Sequence, residues 1–120
     1  MNTDVLLYAM LEQARFERTM SNFGYKTKTN FFCDLSVAEV VGGERDIRYT
    51  FDNTFKEYGN DIEKITEFVM CLNHKIWAHY NKNDALSELY DELWRKGEEK
   101  VMDTFKDNED ALNYYFRTTD

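Results

Sequence analysis

Proline is absent from this chain and glycine occurs only five times. Proline removes a helical amide donor, and a glycine inside a helix costs about 1 kcal/mol, so a chain short of both can be mostly helix. Cysteine is nearly as scarce. Cys33 and Cys71 are too few for a disulfide framework, and each reads as a thiol in a reducing compartment. No apolar run approaches the roughly 20 residues that span a bilayer. The opening M-N-T-D-V-L-L-Y-A-M puts an acid where a secretion signal needs basic residues, which makes the cytoplasm the expected location. Positive charge is also in deficit, with 15 Lys and Arg against 23 Asp and Glu, a net charge of −8. Clustered Lys and Arg are what phosphate backbones attract, so non-specific nucleic-acid binding is disfavoured.

What the chain does have is apolar bulk. Hydrophobic residues make up 42% of the 120 positions and charged residues 32%, the balance of a globular chain rather than a disordered one. Nine Phe, eight Tyr and two Trp supply enough buried area for one domain without staples.

The organising stretch is Asn60 to Tyr80. Ile62, Ile65, Phe68, Val69, Leu72, Ile76 and Tyr80 recur at steps of three and four, which places them along one side of a helix. Met70 and Trp77 lie off that line, so this helix is expected centrally, with neighbours on more than one side. Asn60 reads as its cap, followed by Glu63 three residues on.

Around it, residues 3–22 form a helix opened by Thr3 and Asp4 and ended by Asn22 and Gly24. Residues 25–32 break the helical rhythm and read as a loop, with a short extended segment as the alternative. Ser36 and Glu39 suit a capping box for a short helix that Gly42 and Gly43 end. Ile47, Phe51, Phe55 and Tyr58 stripe a helix from Glu44 to Tyr58. Asn83 reads as the cap of a long helix over 83–106, and Asp107 or Asn108 opens a last one over 108–117. The expected fold is all-α, a single domain built as a compact bundle of four to five helices.

Chemistry is hard to find in this pattern. Cys71 and His74 are three apart and can face one metal, with Cys33 as a distant third ligand, but His79 is more than two turns from Cys71. The expected state is a buried thiol with partly exposed imidazoles. A Cys71–His74 nucleophile lacks the loops that build an oxyanion site, and only Lys75 lends positive charge. No cofactor, metal or catalytic residue is expected, and the chain reads as non-enzymatic.

Charge is more informative. Residues 81–120 hold eleven Asp and Glu against six Lys and Arg, a net −5 of the total −8. Glu88, Asp91, Glu92, Glu98, Glu99 and Asp103 lie within 83–106, and a row of carboxylates on a rigid helix can imitate a phosphate line. Trp77, Trp94, Tyr114, Tyr115 and Phe116 belong mostly to the core; any that are exposed together mark an interface, so Tyr114 and Tyr115 join the acids as candidate partner contacts. Lys26, Lys28, Arg45 and Arg48, interleaved with Tyr25, Phe31 and Phe32, form the one basic neighbourhood. They carry the alternative of a nucleic-acid-binding accessory protein.

Certain longer motifs go further. F-F-C-D-L-S-V-A-E-V at 31–40, Y-T-F-D-N-T-F-K-E-Y at 49–58, I-T-E-F-V-M-C-L-N-H-K-I-W-A-H-Y at 65–80, L-Y-D-E-L-W at 89–94 and Y-F-R-T-T-D at 115–120 resemble a family of small proteins of unassigned function. Those proteins are encoded on phages and conjugative elements of anaerobic gut bacteria. The first thirty residues do not share the resemblance. It implies an intracellular accessory protein of a mobile element in a bacterial host, and it supplies no catalytic residues. Together with the acidic charge, the resemblance leads to one expectation: an inhibitor of a host nucleic-acid-handling or defence protein, of the anti-CRISPR or anti-restriction type. Its expected partner presents a basic surface.

Overall fold

With no proline to interrupt it, the ladder of helical hydrogen bonds runs almost unbroken. The structure, a computed structural model describing residues 2–120, is helical over most of its length. Its elements are α1 (Thr3–Asn22), α2 (Phe31–Gly42), α3 (Glu44–Tyr58), α4 (Ile62–Asn81), α5 (Leu86–Thr104) and α6 (Glu109–Thr119). The fold class is all-α, and no strand occurs among the described residues; residues 25–30 form an irregular connector. Six helices among the described residues exceed the expected four to five. At φ 61° and ψ −140° Gly43 turns the chain within one residue, so α3 follows α2 as a separate helix with no loop, at the break the glycine pair marks in the sequence.

Helix starts depart from expectation more than helix stops. Asn2, not Thr3, caps α1 through its side chain, which accepts from Asp4 N at 2.8 Å. Asp61, not Asn60, caps α4 by accepting from Lys64 N at 3.1 Å. The capping box at Ser36 is absent because α2 begins five residues earlier; Ser36 lies buried inside the helix, its Oγ donating to the Phe32 carbonyl at 3.0 Å. Asn83 caps nothing. It takes a left-handed φ of 54° in the turn before α5, and Asp84 Oδ1 instead accepts from Leu86 N at 3.0 Å. Of the two candidates Asp107 and Asn108, it is Asn108 that caps α6, accepting from Ala111 N at 3.1 Å.

The backbone divides into two compact units, residues 1–50 and 51–120. In the first, α1 packs on α2 through Ala9, Phe16, Phe32, Leu35 and Ala38, all buried. The Phe16 and Phe32 rings stack at 4.7 Å. A polar side chain also joins the two helices. Gln13, 6% exposed, accepts from Cys33 N at 2.8 Å and donates to the Thr29 carbonyl at 3.2 Å. The N-terminal amide that α2 cannot satisfy itself is thus satisfied from α1.

In the second unit α4 packs on α5 and α6. Phe51 and Phe55 from α3 meet Phe68 of α4 with ring centroids 6.1 Å and 5.9 Å away. Ile65, Val69, Cys71, Leu72, Tyr90, Leu93 and Tyr115 are buried with them. Each large side chain so buried stabilises by about 1.5–3 kcal/mol. The central helix also buries Thr66, Glu67, Lys75 and His79, so it is not the purely apolar cylinder its spacing suggests.

Candidate protein-binding surface

The turn from α4 to α5 decides what this end of the second unit presents to solvent. His79 is buried rather than partly exposed: its ring stacks on Tyr90 at 5.5 Å, and its Nδ1 lies 3.1 Å from Asp84 Oδ2. The other Asp84 oxygen holds the first turn of α5, and Asp84 N donates to the His79 carbonyl at 2.9 Å. One carboxylate therefore fixes the end of α4 and the start of α5 together.

With His79 turned inward, the aromatic residues around it turn out. Trp77 is 57% exposed and Tyr80 is 65% exposed, and their rings meet edge to face at 5.7 Å. Tyr80, which the spacing puts on the buried line, is not there, because His79 occupies the interior at this turn. Beside Tyr80 is an open cavity of ≈ 350 Å³, lined also by Asn83, Asp84, Ala85, Ser87 and Glu88.

From Glu88 the acidic residues run along α5. At 100° per residue, Glu88, Glu92, Glu99 and Asp103 fall within one narrow arc, and all four are exposed. They extend over about 22 Å of helix. The basic residues of α5 lie mostly to one flank, where Lys96 Nζ sits 5.5 Å from the Phe51 ring centre and Lys100 Nζ 5.9 Å from that of Phe55. Arg95 interrupts the acidic arc and is held by Asp91 at 3.0 Å.

Two of the anticipated contacts point elsewhere. Glu98 turns towards α6, where its Oε2 accepts from the Tyr115 hydroxyl, and Tyr115 is fully buried. Burial, and then the bond to Glu98, raise the Tyr115 pKa far above that of an ordinary phenol. Tyr115 is therefore a core residue and not an exposed anchor. Tyr114 is partly exposed, with the Arg117 guanidinium 6.0 Å from its ring centre. Trp94 and Phe116 line a cavity of ≈ 220 Å³ with Met70, Asn73 and Glu98.

The basic candidates belong to residues 1–50. Arg45 pairs with Asp46 at 3.4 Å and Arg48 with Glu44 at 3.1 Å, so two of the four charges are offset within α3. Lys26 and Lys28 are exposed on the connector. Phe31 and Phe32, needed there for stacking on bases, are buried in the α1–α2 packing.

No group of three or more His, Cys, Asp or Glu is placed to hold a metal ion among the described residues. Cys71 lies in the core and His79 is engaged by Asp84 and Tyr90. No helix among the described residues is long and apolar enough to cross a membrane. The chain matches no family model, no curated protein and no solved structure.

Proposed function

We propose that this protein acts by protein contact, as a mobile-element inhibitor that occupies the basic, nucleic-acid-binding surface of a host defence or nucleic-acid-handling protein. The observation that carries this reading is the exposed acidic arc of Glu88, Glu92, Glu99 and Asp103 on α5, which has an exposed aromatic pair at one end. Carboxylates about one or two turns apart on a rigid helix offer a basic groove the charge pattern it accepts from phosphates, and they steer encounter. Trp77 and Tyr80 supply what charge alone cannot: desolvated contact area of the kind that dominates interface energies. Tyr80 and Glu88 line the same cavity, so the aromatic pair and the acidic row form one continuous surface within residues 51–120.

The test is competition. A captured partner is titrated with nucleic acid in the presence of wild-type protein or of a variant carrying E88Q, E92Q, E99Q and D103N. The expected result is salt-sensitive displacement of nucleic acid by wild type and a loss of at least about tenfold in the variant, or roughly 1.4 kcal/mol. Equal competition by the two proteins refutes the acidic mechanism. W77A with Y80A is expected to weaken binding without changing its salt dependence.

A further inference from the structure

α1 has two apolar faces, and α2 covers only one. Ala9, Gln13 and Phe16 are buried, whereas Leu7, Met10 and Leu11 are more than half exposed. Ala14, also exposed, continues the outer row one turn on. Steps of three and four through 7, 10, 11 and 14 make this a seam of the kind that packs helix on helix. Val40 and Val41 are also more than half exposed, at the end of α2. Glu39 beside them reaches Tyr8, whose hydroxyl is held above its ordinary pKa by burial first and then by the charges of Glu12 and Glu39.

We propose that this face is a homodimer interface, in which α1 of two copies pack antiparallel about a twofold axis at Leu11. The charges at either end of the seam select that arrangement. Asp4 lies seven residues before Leu11 and Arg18 seven after, so all three share one face of the helix. Both charged residues are exposed, and neither has an opposite charge three or four positions away in its own helix. Antiparallel pairing about Leu11 sets Asp4 of each copy against Arg18 of the other, twice. Parallel pairing would set like against like. Tyr8 of one copy then lies level with the small Ala14 of the other, which leaves room for it.

The area is adequate. Leu6, Leu7, Tyr8, Met10 and Leu11 offer roughly 400 Å² of apolar surface at about 25 cal/mol per Å². With the flanking polar chains the face approaches the roughly 800 Å² per partner of a standard interface. A dissociation constant of about micromolar order follows, since association itself costs several kcal/mol.

Sedimentation equilibrium over about 1–100 μM tests the proposal, with circular dichroism confirming that each variant stays helical. Wild type is expected to approach the dimer mass, and L11E to dissociate at least tenfold more readily. D4R and R18D are each expected to weaken the dimer, and the double variant D4R/R18D to regain most of the loss. Wild type that is monomeric at about 100 μM overturns the proposal, as does L11E with unchanged mass. A double reversal weaker than either single one overturns the antiparallel register.

Discussion

Replacing Gln13 with alanine should cost about 2–3 kcal/mol, although the residue is polar and its backbone is ordinary helix. The magnitude comes from its three bonds. Its Oε1 caps α2 at Cys33 N, a role whose loss costs about 1 kcal/mol in typical helices. Here the amide is part-buried with a side chain over it, so a figure of roughly 1–2 kcal/mol for the unmet donor applies. Its Nε2 gives a further bond to the Thr29 carbonyl, about 1 kcal/mol, and a long one to Glu17 at 3.3 Å that adds little. Urea denaturation gives the global cost, and amide exchange at Cys33 gives the local one. Exchange there should accelerate roughly 30- to 150-fold if local opening carries the whole loss. Q13E sharpens the test: its carboxylate can still accept from Cys33 N but cannot donate to Thr29, and it faces Glu17. The Q13E deficit should shrink below about pH 4–5, as protonation restores a donor. If Q13A lies within about 0.5 kcal/mol of wild type and leaves Cys33 exchange unchanged, the link between α1 and α2 is not what starts α2.

Two further stability predictions concern residues 51–120. A Cβ added at Gly97 would lie 3.4 Å from Phe55 Cζ and 3.6 Å from Phe51 Cε2, ordinary contact distances, so G97A should gain about 1 kcal/mol by thermal denaturation. A loss instead would show that the phenylalanine rings cannot yield. Y115F removes the bond to Glu98 and should cost about 1.5 kcal/mol at neutral pH. Because the folded-state pKa of Tyr115 is raised, the folded chain keeps a proton that the unfolded chain releases above pH 10, and stability falls as pH rises through that range. The wild-type advantage over Y115F should therefore narrow above about pH 10. A gap that widens there would contradict the raised pKa.

The central helix was legible because seven apolar residues at helical steps leave no other secondary structure to choose. Helix ends set by glycine were legible for the same local reason: Gly24 and Gly43 both take positive φ where the helices stop. The start of α2 was not legible, because the group that caps it lies twenty residues back in Gln13. Ser36, which reads as a local cap, is spent inside the helix on the Phe32 carbonyl. On the candidate surface, helical spacing places the acidic candidates of 83–106 on one helix without singling out Glu88, Glu92, Glu99 and Asp103. It could not show that Glu98 turns to Tyr115, nor that His79 would displace Tyr80 from the interior. Both depend on which side chain of a facing helix arrives opposite, and periodicity carries no such information. An alternation of aromatic and histidine at 77–80 ahead of a turn containing Asp84 was the one available signal, since a buried imidazole needs a fixed partner.

The two cysteines have a consequence for watching this protein move. Cys33 is partly exposed and belongs to residues 1–50, whereas Cys71 is wholly buried and belongs to residues 51–120. A thiol-directed reagent must wait for Cys71 until the second unit opens, but it meets Cys33 after a much smaller fluctuation. Each unit thus holds its own chemical clock, and the two labelling rates, read by mass from one sample, time the breathing of each half of the chain without any added probe.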